Sequence, residues 1–445
     1  MKKYLLTILL CTVTFFSFSQ SNLWQKTILK PSDSTSFVKN LYNGRYQTYS
    51  LNLNNLKTQL ENAPLRNDIG LRSSLVVNFP DEKGNMERFN VLETPVLAPA
   101  IAIQHPNIKT YVGFSLDNPG GRIRFSVTPL GLKTMTTYIN KPTVFIVPKE
   151  KGNTLEYISY QRGVRKSSKK DFKCLTENEI VRIKERNPYN RDANDQILRT
   201  LKIAISTTGE YTSFWDDGDN TNGNAQSDAL AALVSTLNRT NEVFEVDMAV
   251  TFQLVTGTEI IYPSASTDPY TNNLLNSQLQ STLTSQVGES NYDIGHLFTY
   301  GTNNGNAGCI GCVCVDGQKG SGFSSHSFTD NDGGPNMDDF FDIDYVPHEI
   351  GHQMGGNHTW SFDNEGTGVN YEPGSGTTIM GYAGITISND VQDHSDPYFH
   401  YGTINQILNN LDTRTCWTST TILNSPPQAN AGEDYTIPQG TAFKL

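Results

Sequence analysis

The chemistry-bearing segment of this chain is His348-Glu349-Ile350-Gly351-His352-Gln353-Met354-Gly355-Gly356-Asn357-His358. Two histidines four residues apart on a helix lie on one face, with Cβ atoms about 5–6 Å apart. Imidazoles so placed can reach one metal ion at about 2.0–2.1 Å. Glu349 follows the first histidine, beside such an ion without ligating it, where a general base is needed. A third ligand six residues after His352 cannot share a straight helix face. The chain must turn, and Gly355 permits the left-handed backbone that ends a helix and swings His358 under the metal. Three neutral imidazoles leave a fourth position for water, which is the catalytic rather than the structural arrangement of zinc.

Downstream, Ser375-Gly376-Thr377-Thr378-Ile379-Met380-Gly381-Tyr382 reads as a tight turn, with Met380 flanked by glycines 22 residues after His358. Tyr382 lies where its phenol can reach the metal or an oxyanion. Five cysteines follow Cys11: Cys174, Cys309, Cys312, Cys314 and Cys416. Cys174 stands apart from the rest, which leaves an even four downstream. A thiolate is a good zinc ligand, so Cys174 is a candidate latency thiol that fills the open position. Cys416 is expected to bridge back to the 309–314 cluster, with its partner left open by the sequence.

These residues need elements to hold them. Leu201–Ser206, Ala249–Val255 and Asp293–Tyr300 read as strands, and Leu230, Leu233, Val234, Leu237 and Phe244 recur at helical spacing. That predicts an amphipathic helix over Ser227–Phe244, capped by Ser227 or Asp228. The order β-α-β-α-β argues for an α/β layer. Residues 302–338 are Gly- and Asn-rich and read as mostly loop. The metal-site helix is expected to start near Asp344, with Asp342 or Asp344 as cap and Pro347 in its first turn.

Upstream, residues 21–195 read as one β-rich block, with strands near Ser74–Asn78, Tyr111–Leu116, Arg122–Thr128 and Thr143–Val147. Basic, polar stretches at 162–173 and 184–199 look like exposed linkers. A maturation cut is expected between Arg186 and Arg199. Lys2 and Lys3 followed by an apolar run to Phe18 read as a signal peptide over residues 1–20, which carries Cys11 away. Residues 426–445 look like the opening of a polycystic-kidney-disease-type or immunoglobulin-like β-sandwich, cut short.

With these motifs in view, residues 198–410 resemble the reprolysin-like (adamalysin-like) metallopeptidases of the metzincin clan, in particular a secreted bacterial branch. The resemblance runs through Arg199–Tyr211, Asp268–Asn273, Asn291–Phe298, Phe341–Thr359, Tyr371–Gly384 and Ser395–His400, and Pro95–Pro148 is similar to the region that precedes such domains. It implies a metzincin-type α/β (α+β) catalytic domain over residues 196–423, one Zn2+ on His348, His352 and His358, and Glu349 as base. It also implies Met380 as turn methionine, protein or peptide substrates, and a precursor whose own pro-region inhibits it. Animal reprolysins tend to carry Pro after the turn methionine. Gly381-Tyr382 is more like astacins and serralysins.

Composition fits a protein of the cell exterior. The net charge of −11 over 445 residues argues against nucleic acid. After the first 20 residues, no stretch is long and apolar enough for a membrane span. Acidic loops (Asp216, Asp217 and Asp219; Asp330, Asp332, Asp338 and Asp339) could hold Ca2+ but lack EF-hand spacing and read first as solvated loops. His296, His394 and His400 read as structural. The competing function is a catalytically silent surface-binding or adhesive protein on the same fold; intact Glu349 and three histidines favour the enzyme.

Overall fold

A computed structural model describes residues 23–28, 46–66, 73–163, 172–177, 195–271, 273–328, 338–363, 365–422 and 436–438. The stretch read as a signal peptide, the expected maturation segment up to residue 194, Asp330, Asp332 and nearly all of 426–445 lie outside the described residues. No described helix is long and apolar enough to cross a membrane.

The N-terminal region is a nine-stranded antiparallel sheet. From Val76–Pro80 it runs as a meander of neighbouring strands to Glu156–Gln161, and Gln47–Leu51 and Trp24–Thr27 complete the far edge. Side chains alternate across a strand, and Arg122–Thr128 uses that period fully. Ile123, Phe125 and Val127 enter a core with Trp24, Tyr49, Phe79, Phe89 and Tyr157. Arg122, Arg124 and Ser126 point the other way, onto the helix Ala225–Met248.

The second unit is a mostly parallel sheet. Ile197–Thr207 is central, between Val250–Leu254 and Ile294–Tyr300, and the latter pairs in parallel with Gly322–His326. Asn304–Asn306 pairs antiparallel to Gly322–His326 and offers its other side to Lys173–Cys174, which runs parallel to it. Thr418–Thr421 returns antiparallel along the start of the central strand. Helices cover both faces. Ile203, Ile205 and Phe298 pack with Ala225–Met248 and the histidine helix Val346–Met354. Ala204, Leu297 and Phe323 pack beneath Leu275–Gln286.

Four expectations change. The long helix begins earlier, at Ala225, because Asn224 caps it and Ser227 reciprocates as a capping box. It is not amphipathic in the usual sense: every residue from Asp228 to Phe244 is buried. Its polar side faces the N-terminal sheet, where Glu242 and Glu245 meet Arg122 and Arg124, and Arg66 also reaches Glu245. Residues 302–338 contain two short strands, whose Gly- and Ser-rich sequences become strands only through their neighbours.

The histidine helix also does not start at Asp344. Helical backbone runs from Asp338, with a π turn over Phe341–Tyr345. The π turn moves the Val346 N–H onto Phe341 O, and Pro347 follows as the first turn of regular helix resumes. Asp342 and Asp344 do not cap. Asp342 binds Arg239 and Thr236, and Asp344 binds Arg162 and the Ser395 N–H.

Arg124 is the test of the interface between the two units. It is 1 % exposed and touches Glu242, also buried, and Glu245, whose side chain is 5 % exposed. Arg124→Ala leaves two buried carboxylates short of a partner, and we expect about 3–5 kcal/mol of lost stability, read by denaturant unfolding of the full chain.

Candidate metal centre

Each histidine ring is oriented by the atom behind it. His348 Nδ1 donates to Ile379 O at 2.7 Å, His352 Nδ1 to Gly356 O at 2.7 Å, and His358 Nδ1 to Glu365 Oε1 at 2.9 Å. A carbonyl can only accept, so the proton of a neutral ring sits on Nδ1 and Nε2 keeps its lone pair. Those lone pairs converge: the Nε2 atoms of His352 and His358 are 3.1 Å apart, and the rings lie 4.6–5.2 Å from one another. Burial first, then the neighbouring histidines, holds His352 and His358 well below the usual imidazole range. Protons are thus disfavoured where three lone pairs meet, and a divalent cation fits the donor set.

Local sequence explains the placement. Gly355 ends the helix at φ +120°, a backbone that side-chain-bearing residues rarely adopt, and its N–H bonds back to Gly351 and His352. The turn Ile379–Tyr382 lies beneath. Ile379 orients His348, and buried Met380 places its sulfur against Gly351. Tyr382 Oη is 3.1 Å from His358 Nε2, and burial above all pushes its phenol upward, so it stays a donor.

Glu349 is fully buried, and burial pushes its carboxyl up to about 8. Gly305 on the adjacent edge strand makes room for it, since a Cβ there would come within 2.4 Å of the carboxylate. The Thr176 hydroxyl donates to Glu349 Oε2 at 2.9 Å. Cys174 Sγ is 3.6 Å from His352 Nε2. One donor atom from each of Cys174, His348, His352 and His358 lies within 4.8 Å of the others. Burial, then Glu349, raises the thiol well above its ordinary value in the absence of a cation. The segment is held by strand pairing, with Lys173 N donating to Asn303 O and Leu175 N to Gly305 O.

The structure therefore brings together all seven residues singled out from sequence. It adds Thr176, Glu365 and Gly305, which sequence reasoning missed. Thr176 had one available signal, its position two residues past Cys174. Behind the helix, Cys314 pairs with Cys416 and Cys309 with Cys312. His296 is a structural histidine that locks Gln353 of the helix to the sheet. His400 accepts from Gly402 N–H and caps the last helix, while His394 packs on Phe340.

Residues 197–411 match the metallopeptidase family M12B, reprolysin-like. Among solved structures, the chain is similar to the crystal structure of metalloproteinase-II from Bacteroides fragilis, at 11% identity over 73% of this chain and 88% of that one, with a TM-score of 0.37. No curated protein matches the chain.

Proposed function

We propose, from the match of residues 197–411 to the reprolysin-like metallopeptidases of family M12B, that this chain is a zinc-dependent endopeptidase, exported by its first 20 residues and made as a latent precursor. The observation that carries the reading is the convergence of three imidazole lone pairs beside a buried carboxylate. His348, His352 and His358 would hold the zinc, which supplies a Lewis acid that polarises the scissile carbonyl and acidifies water to a pKa of about 7.

The chain's own residues do the rest. A substrate segment pairs with the edge strand Asn304–Asn306, the row of backbone groups that Lys173–Cys174 uses here. The Glu349 carboxylate takes a proton from the attacking water, and its burial favours keeping that proton until the amine leaves. It then gives the proton to the leaving nitrogen, so the C–N bond breaks to an acid and an amine. Tyr382 O–H donates to the oxygen that becomes negative as the tetrahedral intermediate forms.

In the precursor, Cys174 takes the fourth donor position and Thr176 occupies Glu349, so one short strand blocks the metal position, the base and the substrate edge together. Release requires a cut in the segment between Arg186 and Arg199. The test is zinc analysis and casein cleavage by the matured protein. One zinc per chain and hydrolysis that stops on chelation and returns with zinc are expected. A metal-free mature form, or one inert towards polypeptides, overturns the reading and leaves the adhesive alternative.

A further inference from the structure

Far from the histidines in sequence, the loop after the helix Gly209–Trp215 reads Asp216-Asp217-Gly218-Asp219-Asn220-Thr221-Asn222-Gly223-Asn224 and leads into the long helix. One carboxylate oxygen from each of Asp216, Asp217 and Asp228 lies within 4.8 Å of the other two. Asp219, flagged from sequence beside the first two, is not in this set; it turns to Thr221 instead. Its place is taken by Asp228, one turn into the helix.

An acidic surface loop alone would be unremarkable, but Asp228 is not on the surface. It is 1 % exposed. Its Oδ2 accepts only the Asp217 N–H, at 3.2 Å, and its Oδ1, lying against Gly223 of the same loop, has no donor. The charges that act on it are those of Asp217 and Asp216, both negative, and burial with that repulsion pushes its carboxyl up to about 6. Asn222 donates its amide to Asp217 Oδ2 at 3.0 Å and has a buried Oδ1 that also lacks a donor. The Lys151 ammonium reaches this loop but binds the carbonyl oxygens of Phe214 and Asp216. A buried carboxylate with one oxygen lacking a donor, and with two more carboxylates within 4.8 Å, is costly unless a cation joins them.

We propose that Asp216, Asp217 and Asp228, with Asn222 Oδ1, form a calcium site separate from the histidine centre. The donor set is all oxygen, which suits a hard cation. It is irregular and carried partly by a Gly-containing loop, which suits calcium's adaptable shell of six to eight ligands better than magnesium's rigid octahedron. Three ligands come from the loop and one from the helix that supports both the central sheet and the N-terminal region. The bound ion would therefore pin the loop to the first turn of that helix and shield it from cleavage.

The experiment uses the full chain in calcium-free buffer with zinc present throughout, titrated with calcium to about 10 mM, a range that covers extracellular calcium modules. We expect a saturable rise in Tm of about 3–6 °C and slower proteolytic nicking within 216–224. Magnesium at equal concentration should give a far smaller rise. Asp228→Asn, nearly isosteric, should remove the calcium-dependent shift. If that variant fails to fold, Asp216→Asn with Asp217→Asn, which alters only the exposed and half-buried members, should do the same. No calcium-dependent shift in the wild-type chain, an undiminished shift in whichever variant folds, or an equal response to magnesium would each overturn the proposal.

Discussion

Glu349→Ala is expected to keep its zinc and lose peptide hydrolysis by roughly two to four orders of magnitude in kcat, the contribution of a positioned general base. The separation of the two readouts follows from geometry. All three metal-facing nitrogens belong to histidines whose opposite nitrogens are anchored on Ile379, Gly356 and Glu365, and none of those anchors involves Glu349. Metal content should therefore survive. What disappears is the Glu349 carboxylate, which is placed to move a proton from water to the leaving amine. Glu349→Gln is the sharper version, because it keeps the size and polarity of the side chain while the group no longer takes a proton. The measurement is zinc per chain by mass spectrometry alongside kcat and KM on a fluorogenic peptide, with the N-terminal region removed. Near-normal turnover in either variant would mean that another group is the base.

The second large effect should go the other way. Cys174→Ala in the full-length chain is expected to raise hydrolysis of a short peptide at least tenfold over the uncut wild type. The sulfur is tethered beside His352 Nε2 by strand pairing on both sides, at Lys173 and Leu175. It thus competes with water at the high effective concentration of an intramolecular ligand. Removing it opens the fourth position but leaves the strand in place, so the gain should be partial and largest for substrates too short to need the whole edge. Thr176→Val tests the other half of the lock. It should raise activity less, because the sulfur still blocks the metal position. A Cys174→Ala precursor no more active than wild type would sink the latency assignment.

What could be read from the sequence was whatever depends on short-range spacing. His348, His352, His358 and Glu349 sit within 11 residues, and helix geometry plus one glycine places them. Met380 and Tyr382 came from a second short motif. Less legible was whatever depends on a distant partner. Apart from its nearness to Cys174, nothing in the sequence ties Thr176 to Glu349, and the two meet because the Lys173–Cys174 strand docks on Asn304–Asn306. That edge strand reads as loop, since Asn-Gly-Asn has low strand propensity until a sheet recruits it. Helical spacing makes the long helix legible, but it does not say what its polar side meets. Glu242 and Glu245 are buried because arginines more than a hundred residues earlier cover them. The π turn before Pro347 follows from a proline placed deeper in a helix than the residue pattern suggests.

The guanidinium groups of Arg66, Arg122 and Arg124 on those two glutamates carry a consequence for what happens after the proposed cut. Losing the N-terminal piece would strip the helix of three cations at once and leave a bare anionic stripe on the liberated enzyme. Re-encounter between the fragments would be steered by opposite fields, fast in dilute electrolyte and slow in brine. The same arginines that help the precursor fold would make the shed fragment a salt-tunable inhibitor of its former partner.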